Sequence, residues 1–293
     1  MSFRFARGAS LGVLFVVCSI STLPSVGCGA TGSKRFAFEA RAAGALRTDG
    51  ATVGPLSFVN ENGWTITLQK ANVTLGPVYL NVIAPLRTAG FSGLSFVKTA
   101  HAAGDSHLDA GRVVGEVLGQ VSFDALSQAE VPFATRGTIT EEEVRTLDVW
   151  FYPAPGIAPE TTKIATVALD VVGDAVKGAD HVAFRGNLVL DDAWLPNAQP
   201  GARGGQTILG VRQVRGIPAD FYPTEGGHLT MRFDVRACFR AAEFSNLSGS
   251  LSDPDGTKIL VQAKSGTTTT DQVMTNLYQG VRATKTYSVA WTR

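Results

Sequence analysis

Phe58-Val59-Asn60-Glu61-Asn62-Gly63-Trp64-Thr65-Ile66-Thr67-Leu68-Gln69 holds a turn and a complete strand signal side by side. Trp64, Ile66 and Leu68 alternate with Thr65, Thr67 and Gln69, the period of a strand with one face on a core and one toward water. That parity assigns Trp64 to the core. Asn60-Glu61-Asn62-Gly63 has the residue types that make a hairpin turn. The same period recurs along the chain. Phe36 and Phe38 oppose Arg35, Ala37 and Glu39; Leu147, Val149 and Phe151 oppose Thr146, Asp148 and Trp150. Val182, Phe184, Leu188 and Leu190 oppose His181, Arg185 and Asn187; Leu229, Met231, Phe233 and Val235 oppose His228, Thr230, Arg232 and Asp234. Tyr287, Val289 and Trp291 close the series.

Helical spacing is sparse. Thr140 and Glu143 have capping-box spacing, with room for one turn before strand residues resume. Thr270 to Gln279 reads better: Thr270 or Asp271 caps it, and Val273, Met274 and Leu277 share a face. The expected fold is all-β: an antiparallel β-sandwich with long loops and one short C-terminal helix, over residues 35–293.

The first 28 residues read differently. Arg4 and Arg7 form a basic head, and Leu11 to Ile20 an apolar run too short to span a bilayer comfortably as a mature helix. Ser25-Val26-Gly27-Cys28 follows. This resembles the signal peptide and lipobox of bacterial lipoproteins, with Ser25 where that family usually has Leu. The resemblance implies a signal peptide over residues 1–27, lipid on Cys28, and a tether over residues 28–34. Gly29 is not the Asp associated with inner-membrane retention in some bacteria, so the expected address is the cell envelope, at the outer membrane rather than the inner.

Charge excludes several partners. The chain carries 26 Lys and Arg against 25 Asp and Glu. Removing residues 1–27 takes Arg4 and Arg7 and no acid, which leaves the remainder close to neutral. No basic patch for nucleic acid follows from this balance, and no polybasic stretch for anionic lipid is present. No later segment has the ~18 consecutive apolar residues of a membrane span, so the lipid on Cys28 is the expected membrane device. Of the three cysteines, Cys18 leaves with the signal and Cys28 is acylated. Cys238 then has no intramolecular disulfide partner. It lies on the polar face if its strand continues straight, and is buried if the chain turns near Ala237.

Candidate chemistry centres on Thr99-Ala100-His101-Ala102-Ala103-Gly104-Asp105-Ser106-His107, which holds two of the four histidines. Imidazole suits Zn or Cu, and a carboxylate adds an oxygen ligand. The small residues between His101 and His107 let both rings converge on one ion. His228 follows a flexible Gly226-Gly227 pair at a strand end and is the candidate third ligand. Asp105 is a ligand or the partner that orients a ring. The alternative is a polar loop with two solvated histidines. His181 heads a strand on its exposed face. Asp253-Pro254-Asp255-Gly256 reads as a turn between strands, and Glu141 to Glu143 as a solvated charge run. Gly201 to Gly205 lacks the Lys-Ser/Thr of a phosphate loop. Neither a Gly-x-Ser-x-Gly elbow nor a His-Glu-x-x-His pair is present, and the expectation is a binding protein, not an enzyme. Trp194 and Tyr222, in Pro-containing loops, are candidate aromatics for a protein or glycan partner.

A further resemblance rests on Phe58–Leu68, the run from Leu75 to Val82, Met231-Arg232-Phe233-Asp234, Phe239 and Asn276-Leu277. This layout is similar to periplasmic copper-associated β-sandwich proteins of the methanobactin-partner type. The resemblance implies metal handling beside outer-membrane transporters, and it carries over no copper ligand. The expected function is a membrane-anchored binding module for Cu or Zn. A surface adhesion or assembly protein binding a protein or glycan is the alternative, with a hydrolase behind both.

Overall fold

The computed structural model describes residues 33–82, 112–151, 166–191, 194, 208–245, 247, 251–262 and 271–293. The elements are β1 (Arg35–Gly44), β2 (Leu56–Val59), β3 (Thr65–Leu75), β4 (Val78–Asn81), β5 (Val113–Val117), β6 (Val121–Asp124), β7 (Val131–Pro132), β8 (Gly137–Thr140), β9 (Val144–Trp150), β10 (Thr166–Lys177), β11 (Asp180–Leu190), α1 (Ile208–Val211), β12 (Gln213–Phe221), β13 (His228–Phe233), β14 (Leu251–Ser252), β15 (Lys258–Ile259), α2 (Gln272–Arg282) and β16 (Tyr287–Thr292). The chain is all-β with a short C-terminal helix, as its periodicity requires.

The Asn60–Gly63 turn joins β2 to β3. Asn60 Oδ1 accepts from the backbone N–H groups of Asn62 and Trp64, both at 3.0 Å, and Gly63 supplies the positive φ of 79° that side chains disfavour. Along β3 the inward residues switch from Ile66 and Leu68 to Ala71, Val73 and Leu75. The switch coincides with a register shift against β10, where Gly173 faces Leu68 and Val172 faces Lys70. One extra residue on β3 puts Gln69 and Lys70 outward in succession and keeps the apolar face on the core.

Two sheets enclose that core. One has nine strands in the order β12-β9-β4-β5-β8-β1-β13-β16, with β7 on β1; the other has seven, β14-β15-β11-β10-β3-β2, with β6 on β3. The expected antiparallel pairing is corrected at two places: β1 runs parallel to β13, and β11 parallel to β15. In each case the partners are far apart in sequence, so no hairpin dictates their direction. Phe38, Ile139, Leu147, Val149, Leu229 and Phe233 from the first sheet share one buried cluster with Ile66, Leu68, Val171, Phe184 and Leu188 from the second.

After β13 the chain makes a 3-10 turn over Val235–Phe239, capped by the Asp234 carboxylate, which accepts from Arg236 N–H at 3.1 Å. Alternation therefore stops before Cys238, which is fully buried. Burial and the Asp234 charge push its thiol well above the usual cysteine range. Phe239 and Phe244 then pack on Phe184 at 5.8 and 5.0 Å between ring centroids.

The C-terminal helix, Gln272–Arg282, starts two residues later and runs three residues farther than its sequence signal over Thr270 to Gln279. Asp271 stands at its N-cap, yet its carboxylate accepts from Val261 N–H at 2.7 Å instead of capping the helix. Val273, Met274, Leu277 and Val281 form its buried stripe. At the other end, hydroxyls of Thr286 and Tyr287 donate to the carbonyls of Gly280 and Val281, both at 2.6 Å, and so satisfy groups a helix end leaves open. The one-turn helix expected from Glu141 does not form. The chain turns directly from β8 into β9, because Glu141 N–H donates to Lys34 O at 2.7 Å and Val144 is already a buried strand residue.

Trp64 is fully buried, and its indole N–H donates to Glu243 Oε1 at 2.8 Å. The same oxygen accepts from the Ser245 hydroxyl at 2.7 Å and the Ser245 N–H at 3.0 Å. Chiefly through the two Ser245 bonds, with Trp64 and Lys177 adding, the Glu243 carboxyl is pulled down to about 2 from 4.5. A lowered folded pKa stabilises the fold above the unfolded value, and that stabilisation fades as pH falls through the folded value. Urea titrations should therefore show the gap between the native chain and Glu243→Gln narrowing from pH 4.5 toward 2. A gap independent of pH would contradict this assignment.

Candidate functional site

The nine-stranded sheet has one end at which many loops gather. β1, β5, β9 and β13 begin there, and β4, β8, β12 and β16 end there, as the registers Arg35–Thr140, Asn81–Val113, Val144–Phe221 and His228–Thr292 require. The stagger of the sheet sets His228 back, opposite Glu39 of β1.

Hydrogen bonds stitch these loops into a rim. Val82 N–H donates to Arg112 O at 3.3 Å and closes the base of the 83–111 connection. Arg112 forks onto Glu142, with one bond at 3.0 Å, and Ser33 Oγ reaches the same carboxylate at 3.3 Å. Lys34 pairs with Glu225, and Arg145 with Glu143 at 2.7 Å. The Tyr222 hydroxyl donates to Glu141 O at 3.0 Å. Arg293 Nε donates to Thr224 Oγ1 at 3.2 Å. Ser33, Val82, Arg112, Glu141, Glu142, Glu143 and Tyr222 line an open groove of about 560 Å³. Glu225 beside Lys34 raises the ammonium above its usual range.

The candidate ligands divide. Cys28, His101, Asp105 and His107 lie outside the described residues. His228 is half-buried at the start of β13. Its outward neighbours form a charged patch: Glu130 accepts from Thr230 Oγ1 and Arg232 Nη2, both at 3.2 Å, and pairs with Arg41 at 3.4 Å. Arg41 also holds the Glu39 carboxyl below its usual range, with His228 a lesser contributor. Among the described residues, no three His, Cys, Asp or Glu side chains converge in metal-ligating geometry.

Tyr222 stands 55% exposed on the rim, as expected of a loop aromatic. Trp194 is placed differently. Its ring stacks on Tyr278 of α2 at 4.2 Å and 6°, and its N–H donates to Val189 O at 2.8 Å. One ring face and the indole N–H are thus engaged within the fold. His181 is exposed beside Asp174 at 3.2 Å, and Asp253 to Gly256 form the turn between β14 and β15.

Sequence reading missed the role of Glu141 to Glu143. These residues sit between two strands whose partners supply Lys34, Arg112 and Tyr222, and spacing along the chain carries no trace of that. It also missed a buried polar strip on β4 and β9. Asn81 and Thr146 face each other across the ladder, next to Tyr79 and Asp148, and Asn81, Thr146 and Asp148 are buried. Burial raises the Asp148 carboxyl above its usual range, against a bond of 2.9 Å from Gly216 N–H.

No protein-family model, curated protein or solved structure matches this chain. Among the described residues, no helix is long and apolar enough to cross a membrane.

Proposed function

We propose that the protein is a lipid-anchored binding module of the bacterial cell envelope, attached through Cys28, that takes up one Cu or Zn ion at the rim. His101 and His107 are the principal ligands, with Asp105 and His228 completing the site. The supporting observation is topological. The 83–111 connection carries both histidines, and it leaves and rejoins the sheet at the bonded Val82–Arg112 pair, on the sheet end where β13 starts at His228. Crossing from β5 through β8 and β1 to β13, with the stagger, is on the order of 20 Å. An extended chain reaches at most ~37 Å from Arg112 to His101, beyond the gap, and at most ~17 Å to His107, whose imidazole, extending about 6 Å further, and that of His228 close the remainder. Imidazoles with a carboxylate form a donor set suited to Zn or Cu(II). The role that fits is capture or delivery of the ion, with Gly29 favouring the outer membrane.

Metal titration of the purified chain tests this. One equivalent of Zn or Cu is expected to bind, and His101→Ala with His107→Ala to abolish it. A native chain that holds no stoichiometric metal after loading overturns the reading.

Tyr222 supports a second reading, in which the groove receives a protein or glycan partner. Its exposed ring beside an open groove is the kind of surface such partners use. That reading expects Tyr222→Ala to weaken capture in a glycan array or pull-down, with the histidine variants unaffected.

A further inference from the structure

We infer that the rim faces the bilayer, lying against a zwitterionic headgroup layer while the opposite end of the nine-stranded sheet points away. The inference rests on the proposed lipidation of Cys28 and adds an orientation to it. Ser33 and Lys34 are pinned to the rim through Glu142, Glu225 and the bond from Glu141 N–H to Lys34 O. The chain therefore leaves the domain at the rim. From Cys28 to Ser33 it extends at most about 18 Å, a short leash. β5 carries the chain from Val113 at the rim to Val117, and exposed Leu118 follows at the far end, some 15 Å farther out.

Rim chemistry agrees with a zwitterionic surface. Lys34, Arg112, Arg145 and Arg293 stand among Glu141, Glu142, Glu143, Asp220 and Glu225, so cations and carboxylates mix without a dominant sign. Phosphate and ammonium groups of a zwitterionic lipid complement both signs, whereas an anionic surface would complement the four cations and meet five carboxylates with no lipid counterpart. Exposed Tyr222 adds an aromatic with a polar tip, a residue type favoured at headgroup depth.

The mature lipidated chain in phosphatidylethanolamine/phosphatidylcholine vesicles provides the test. Cys238 is buried and Cys28 acylated, so a cysteine introduced as Tyr222→Cys or Leu118→Cys is the one labelled. A nitroxide on the lipid headgroups should quench a fluorophore at position 222 at least twofold more than one at 118. Flotation with the vesicles is scored in parallel. A chain that floats but shows equal quenching at both positions, or more at 118, overturns the orientation alone. A chain that does not float overturns the lipid anchor, and the orientation with it.

Discussion

Asn60→Ala is expected to cost about 4 kcal/mol of folding stability. The Asn60 amide is buried, and all of its hydrogen-bonding capacity is used inside the protein. Nδ2 donates to Phe239 O at 3.1 Å and Ala242 O at 2.7 Å, while Oδ1 accepts from Asn62 N–H and Trp64 N–H. One side chain thus holds the β2–β3 turn and ties it to the segment that follows the 3-10 turn, far away in sequence. Alanine strands the Trp64 N–H where water reaches poorly, at about 1–3 kcal/mol, and removes three further bonds worth about 0.5–1.5 kcal/mol each; the Phe239 and Ala242 carbonyls keep only their bonds from Ala242 N–H and Asn62 Nδ2. Asn60→Asp should be equally damaging, because it sets a carboxylate against two carbonyls. Urea denaturation measures this directly; a loss below about 1 kcal/mol for Asn60→Ala would contradict the latch.

Gly280→Ala should also destabilise, by about 1–3 kcal/mol, and here the sign is the informative part. In an exposed helix interior this substitution gains up to ~1 kcal/mol from propensity. Gly280 instead lies where α2 meets the 3-10 turn. A Cβ there would overlap Cys238 Cα and stand 2.9 Å from Cys238 N and 3.0 Å from Ala237 O. All three are backbone atoms, so no rotamer change relieves the overlap. Gln279→Ala, one position away on the exposed face, should change stability by less than ~0.5 kcal/mol. If Gly280→Ala stabilised the protein, the helix would have to pack otherwise than described.

Much of the fold was legible because its rule is local. Residues two apart share a face of a strand, so Trp64, Ile66 and Leu68 declare one side of β3 without knowledge of the partner strand. The turn at Asn60 is local too. Legibility fails where distant segments decide. Parallel pairing of β1 with β13 depends on a meeting of residues 39 and 228 that no hairpin enforces. Asp271 looked like a helix cap because the competing donor, Val261 N–H, comes from another segment. The loop position of Trp194 is legible, but its stacking on Tyr278 is not, because Tyr278 arrives from α2.

The rim was half legible. Tyr222, His228 and Glu141 to Glu143 are each distinctive in the sequence, but as separate features. The ordering of strands brings Tyr222 and Glu141 to Glu143 together at one sheet end, with His228 on the same end but set back opposite Glu39, and Arg112, Ser33 and Lys34 join the rim only through contacts across the sheet. That convergence gives the proposed metal loop a fixed base, and the proposed lipid anchor a fixed point of attachment.

The measurement that bears most directly on this account is Zn or Cu affinity of the purified chain carrying His228→Ala, beside His181→Ala as a control on the other sheet. If the rim gathers the metal ligands, His228→Ala should weaken binding tenfold or more while His181→Ala leaves it unchanged. Equal affinity in both variants and the native chain would contradict the rim as the metal site.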